Sequence, residues 1–122
     1  MEALSKILRR RPDGRLSFLC PGCRSTHELS VGEGGIWGWN GDAERPTFTP
    51  SILVRQGHYA YNEPREKCWC TWNRDHPDDP SAFVCQRCHS FVTDGQIRFL
   101  EDSTHDLAGQ TVPIPDWPTS WD

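Results

Sequence analysis

The stretch FVCQRCHSFVTDGQIRFL, residues 83–100, decides how this chain can fold. Two runs of alternating apolar and polar residues flank Asp94-Gly95, a dipeptide suited to the backbone angles of a tight hairpin turn. The reading is a β-hairpin with strands over 82–93 and 96–100. The first strand also carries Cys85-Gln86-Arg87-Cys88-His89. C-x-x-C-H is the pattern of covalent haem attachment, and C-x-x-C is half of a zinc site.

Working outward, a second pair stands at Cys20-Pro21-Gly22-Cys23. A two-residue gap lets both thiolates of a pair face one ion, and Pro-Gly permits the tight turn. Cys20, Cys23, Cys85 and Cys88 together supply the four soft ligands that tetrahedral Zn2+ prefers. Residues 24–84 separate the pairs, more than in a usual zinc ribbon, so this insert must build strands of its own. Closing so long a loop through a metal would add stability. For the fourth ligand, His27 and His89 are alternatives. On a strand, Cys88 and His89 point to opposite faces, so a metal-bound Cys88 leaves His89 for other work. Cys68-Trp69-Cys70, with its one-residue gap, reads as two ordinary reduced cysteines. Iron is the second choice of metal, because C-P-G-C also suits a rubredoxin loop. Haem is disfavoured, since Met1 is the only methionine and so no Met axial ligand is at hand.

The chain has 122 residues, of which 35% are hydrophobic, with 10 Gly and 10 Pro. That length suits one domain over 1–122, with a core small enough to need a metal's help. Net charge is −4. The acidic balance and the scattered arginines exclude the footprint of a nucleic-acid binder, and Arg9-Arg10-Arg11 reads as a solvated helix end. No run resembles a secretory leader or reaches membrane-spanning length, so the expectation is a cytoplasmic protein with reduced thiols and no membrane partner.

Leu4, Ile7 and Leu8 recur at helical spacing, which predicts an N-terminal helix within 1–11. Short strands are expected at 15–20, 27–31, 36–39 and 51–55, and a variable loop at 63–80. Asp102 or Ser103 as cap and Gly109 as terminator predict a second short helix over 102–109. Three prolines make 110–122 an extended tail. The expected fold is α+β and β-rich: a small antiparallel sheet domain with short edge helices, held by zinc.

Three features could carry catalysis. In Arg45-Pro46-Thr47-Phe48-Thr49-Pro50-Ser51 two prolines pre-order the backbone around a hydroxyl, as a nucleophile needs, although an edge strand with prolines that block pairing reads the same way. His105 near a helix start could stay neutral and accept a proton, with Asp102 nearby. His89 is the third. A zinc deaminase is disfavoured, because His27-Glu28 follows the Cys pair instead of preceding it. A four-cysteine site also leaves no open position for water.

Several motifs occur together in order: C-P-x-C at Cys20, W-x-W-N-G at Trp37, P-T-F-T-P-S at Pro46, C-H-S-F at Cys88 and D-S-T-H-x-L-A-G-Q-T-V at Asp102. In these the chain resembles a small domain family common in phages and prophages. Its members often carry the label "ammonia monooxygenase", which nothing in these residues supports. Relatives stand beside bacterial ubiquitin-like conjugation genes, where the family looks like a zinc-containing serine-type peptidase. The resemblance implies Ser51 as nucleophile, His89 or His105 as base, Asp102 as orienter and a protein substrate of ubiquitin-like type. It also implies that Cys85 stands in for a histidine ligand of many relatives. The alternative is a zinc-held phage adaptor or defence antagonist without chemistry.

Overall fold

A computed structural model describes residues 1–56, 75–79 and 86–118. Among these described residues nine strands follow in chain order: β1 Glu2–Ala3, β2 Leu8–Arg10, β3 Leu16–Cys20, β4 Ser25–Leu29, β5 Gly38–Trp39, β6 Phe48–Gln56, β7 Gln86–Thr93, β8 Gln96–Phe99 and β9 Thr111–Pro113. They form two antiparallel sheets, one ordered β1-β2-β3-β4 and the other β5-β6-β7-β8-β9. Cys85, Cys68, Cys70 and most of the 63–80 loop lie outside the described residues. No described helix is long and apolar enough to cross a membrane.

The α+β expectation is overturned, for both edge helices are absent among the described residues and the fold is all-β. At the N-terminus, Leu4 and Leu8 meet across a turn: the Leu4 N–H donates to the Leu8 carbonyl at 3.0 Å. The Ser5 hydroxyl accepts from the N–H groups of Ile7 at 3.2 Å and Leu8 at 3.0 Å. The spacing that mimics a helical stripe is thus the spacing of a β1–β2 hairpin. A helix this short is marginal on its own, whereas pairing Leu8 with Phe18 buries Leu8 completely. At 102–109 the capping side chains are used elsewhere. Ser103 and Thr104 bond the main chain of β7, and Asp102 turns to His89.

The Asp94-Gly95 hairpin joins β7 to β8. Both residues have positive φ, 52° and 78°, the requirement of a two-residue turn that follows strand twist. Alternation then sorts the side chains. Cys88, Ser90 and Val92 of β7 and Ile97 and Phe99 of β8 face inward. Leu8, Leu16, Phe18, Cys20, His27 and Leu29 of the first sheet are buried too, and the apolar residues of both sheets form one core. Phe18 stacks on Phe48 across the sheets, with ring centroids 6.3 Å apart. Phe18→Ala should therefore cost about 3–5 kcal/mol in denaturant unfolding, because neither sheet can close the gap alone. The tail folds back: the Trp117 N–H donates to the Lys6 carbonyl at 2.7 Å, and the Arg9 guanidinium lies 5.2 Å from the Trp117 ring.

Candidate active site and metal centre

The register β6–β7 pairs Leu53 with His89 and Val54 with Cys88. Adjacent residues on a strand face opposite ways, so Cys88 is buried while His89 lies on the outer face. The two sites of this protein therefore sit back to back across one strand.

On the outer face, the His89 imidazole lies between two groups. Its Nε2 is 3.1 Å from Ser51 Oγ, and its Nδ1 is 3.2 Å from Asp102 Oδ2. A carboxylate can only accept here, so Nδ1 carries the proton and Nε2 is free to accept from the serine hydroxyl. Ser51 reaches this place because the β6 register shifts between Phe48 and Ile52. Such an irregularity re-aims a side chain. The Trp37 indole N–H donates to the Ser51 carbonyl at 3.3 Å and braces the same irregularity of β6. Upstream, the Gly95 N–H donates to the Pro46 carbonyl and the Asp94 N–H to Thr47 Oγ1, both at 2.9 Å. The P-T-F-T-P-S segment is thereby tied to the hairpin turn.

Asp102 is held by its neighbours in sequence. The His89 N–H donates to Ser103 Oγ at 3.0 Å, and that hydroxyl donates to the His89 carbonyl at 3.1 Å. Thr104 repeats the pattern on Arg87, at 2.9 and 3.1 Å. Arg87 Nε donates to the Asp102 carbonyl at 2.9 Å. The run Asp-Ser-Thr is thus an orienting carboxylate followed by two clasps on β7. These positioning roles escaped the sequence reading, because Ser and Thr there look like helix caps. Ser103→Ala strips a partner from a half-buried main chain and should cost about 1–3 kcal/mol in unfolding. Ser103→Thr should recover most of that loss.

His105 stands apart from this trio. Its ring packs edge-on against Phe99 with centroids 4.4 Å apart, and its Nδ1 accepts from the Leu107 N–H at 3.2 Å. It also lies over Gly22, where any added Cβ would collide with the imidazole. The structure brings Ser51, His89 and Asp102 together and leaves His105 as a packing contact on the Cys20–Cys23 turn.

On the inner face, the ligand atoms of Cys20, Cys23, His27 and Cys88 all lie within 4.8 Å of one another, close enough to hold a metal ion. Cys20 ends β3, Cys23 sits in the following turn, and His27 is on β4, paired with Phe18. Cys88 comes from the other sheet, with its sulfur 3.9 Å from that of Cys20. All three thiols are free. The donor set fits a soft, tetrahedral ion, and the buried Nε2 of His27 has no hydrogen-bond partner, as an atom awaiting a ligand bond would. Hydrogen bonds from Cys23 and Cys88 hold the Cys20 thiol far below the usual thiol range, and the same sharing pushes Cys88 up. Burial disfavours charge on His27, yet the neighbouring Cys20 and Cys23 sulfurs raise it to about 9. His27, an alternative in the sequence reading, joins the described cluster.

A serine, an imidazole and a carboxylate in line on a β scaffold define the serine-hydrolase class of arrangement. The family model for the bacterial ubiquitination-like system serine protease (BubE) matches residues 2–100, and the chain belongs to that family. The match includes Ser51 and His89 and stops just short of Asp102. No curated protein and no solved structure matches the chain significantly.

Proposed function

We propose that this protein is a serine-type peptidase, stabilised by zinc, that processes or removes a ubiquitin-like protein. The carrying observation is the hydrogen-bonded line from Ser51 through His89 to Asp102. Ser51 Oγ attacks the scissile carbonyl carbon while its proton passes to His89 Nε2. The imidazolium is stabilised by Asp102 and returns the proton to the leaving amine, which departs and leaves Ser51 acylated. Water, deprotonated by the same imidazole, then attacks the ester and releases the acid. Family membership supports a protein substrate in a ubiquitination-like system.

Cys20, Cys23, His27 and Cys88 would hold the zinc. Four protein ligands leave it a structural part, and its contribution is to fasten the two sheets together behind β7. A reducing cytoplasm suits three free thiols held ready for metal.

A fluorophosphonate probe should label Ser51 covalently, and Ser51→Ala should lose the label. Intact-mass measurement reads both outcomes. If wild-type protein takes no label and cuts no ubiquitin-like fusion, the peptidase reading fails in favour of a binding module.

A further inference from the structure

The sheet that carries Ser51 and His89 has a charge pattern unlike the rest of the chain. The strands β5 to β9 contain no Asp or Glu, in a protein whose net charge is −4. They carry three arginines, Arg55, Arg87 and Arg98, all exposed. Register puts them on one face with His89. Arg55 is directly opposite Arg87, next to the Leu53–His89 pair, and Arg98 is opposite Phe91. Like charges paired across strands destabilise a sheet. Arg87 is compensated by Asp102, at 3.8 Å. Arg55 and Arg98 have no ion-pair partner among the described residues.

Two large apolar side chains stand on the same face. Leu53 and Phe91 are each 42% exposed, the first paired with His89 and the second two residues beyond it. Phe91 and Arg98 also border a shallow depression of about 400 Å³ with Thr93, Gln96 and Thr111. Apolar groups framed by unpaired cations mark an interaction surface that selects for opposite charge.

We propose that this face docks the substrate polypeptide through acidic side chains flanking the scissile bond, which meet Arg55 and Arg98, while its apolar side chains cover Leu53 and Phe91. The proposal rests on the serine-peptidase reading of Ser51 and adds the chemistry of what that serine cuts. Carboxylates on the substrate supply the counter-charge that Arg55 and Arg98 lack among the described residues. The apolar contacts and the small number of charges favour a polypeptide over a nucleic acid, whose recognition rests on many phosphate contacts.

The test uses two peptidyl phosphonates with one warhead, identical except that one carries Glu and the other Lys on both sides of a central apolar residue. The acidic probe should label Ser51 at least about tenfold faster at low ionic strength, and the ratio should fall toward one in about 1 M salt. In the Arg55→Glu, Arg98→Glu double variant the ratio should invert. Equal rates for both probes in wild-type protein overturn the docking proposal while leaving the serine reading intact. A neutral fluorophosphonate that fails to label Ser51 removes the serine reading itself, and the proposal with it. A single-stranded DNA oligonucleotide should leave labelling unchanged. If DNA blocks the acidic probe more strongly than an added Glu-rich peptide does, the face belongs to nucleic acid and the proposal is wrong.

Discussion

His89→Ala should lower cleavage of a ubiquitin-like fusion by about 10⁴-fold or more, with the fold intact. In the proposed mechanism the imidazole has two jobs that no neighbour can take over. It accepts the Ser51 proton, and it returns that proton to the leaving amine. His105 cannot substitute, because its ring is locked between Phe99 and Gly22. Asp102→Asn should also be severe, on the order of 10⁴-fold, for a different reason. An amide in place of the carboxylate can donate to Nδ1, which moves the imidazole proton to Nε2, the wrong side for a base. His89 is half-buried and on the solvent face, so its truncation opens no cavity, and thermal unfolding should stay near wild type. Circular dichroism beside the cleavage assay separates the two effects. His89→Ala with activity within about tenfold of wild type would remove His89 as the base, since a positioned general base is worth about 10²–10⁴-fold.

Stripping the metal should abolish cooperative unfolding altogether. Zinc bound by Cys and His in small domains contributes roughly 10–16 kcal/mol at neutral pH. A domain of this size has a net stability of about 5–15 kcal/mol. The ion would join Cys20, Cys23 and His27 of one sheet to Cys88 of the other, so its loss cuts the two halves of the core apart. Cys88→Ser should act in the same direction. Activity should vanish along with near-ultraviolet circular dichroism, because β7 carries His89 on its other side. The pH dependence has a definite sign. His27 is raised to about 9 without metal, so its proton must be expelled on binding, and affinity should climb as pH rises toward that value. Competition with a chromophoric chelator across pH measures it. Metal-free protein that still melts cooperatively would refute the staple.

Much of the second sheet was legible in the residues. Alternation around Asp94-Gly95 marks β7 and β8, and the opposite facing of Cys88 and His89 follows from strand geometry alone. The strand expected at 15–20 is Leu16–Cys20, one residue shorter, and the one expected at 51–55 extends to Phe48–Gln56. The helices were misread because two local signals have two meanings. Leu4, Ile7 and Leu8 fit a helical face, but they also fit a hairpin turn once Phe18 is there to cover Leu8. Asp102-Ser103-Thr104 fits a helix cap, but its oxygens find better-placed donors on β7. Local propensity is a weak signal that tertiary partners readily override.

By itself the sequence determined the chemistry at hand: C-x-x-C thiols for a soft ion, a hydroxyl in a proline-ordered segment, and a histidine on the far side of a cysteine-bearing strand. Those depend on residue type and on spacings within one element. Only the tertiary structure decided that His27 joins Cys20, Cys23 and Cys88, and that His89 and not His105 stands between Ser51 and Asp102. Those choices depend on the register between strands far apart in sequence and on how one sheet lies on the other. Both are set by collective burial of a shared core, which no short window of residues contains.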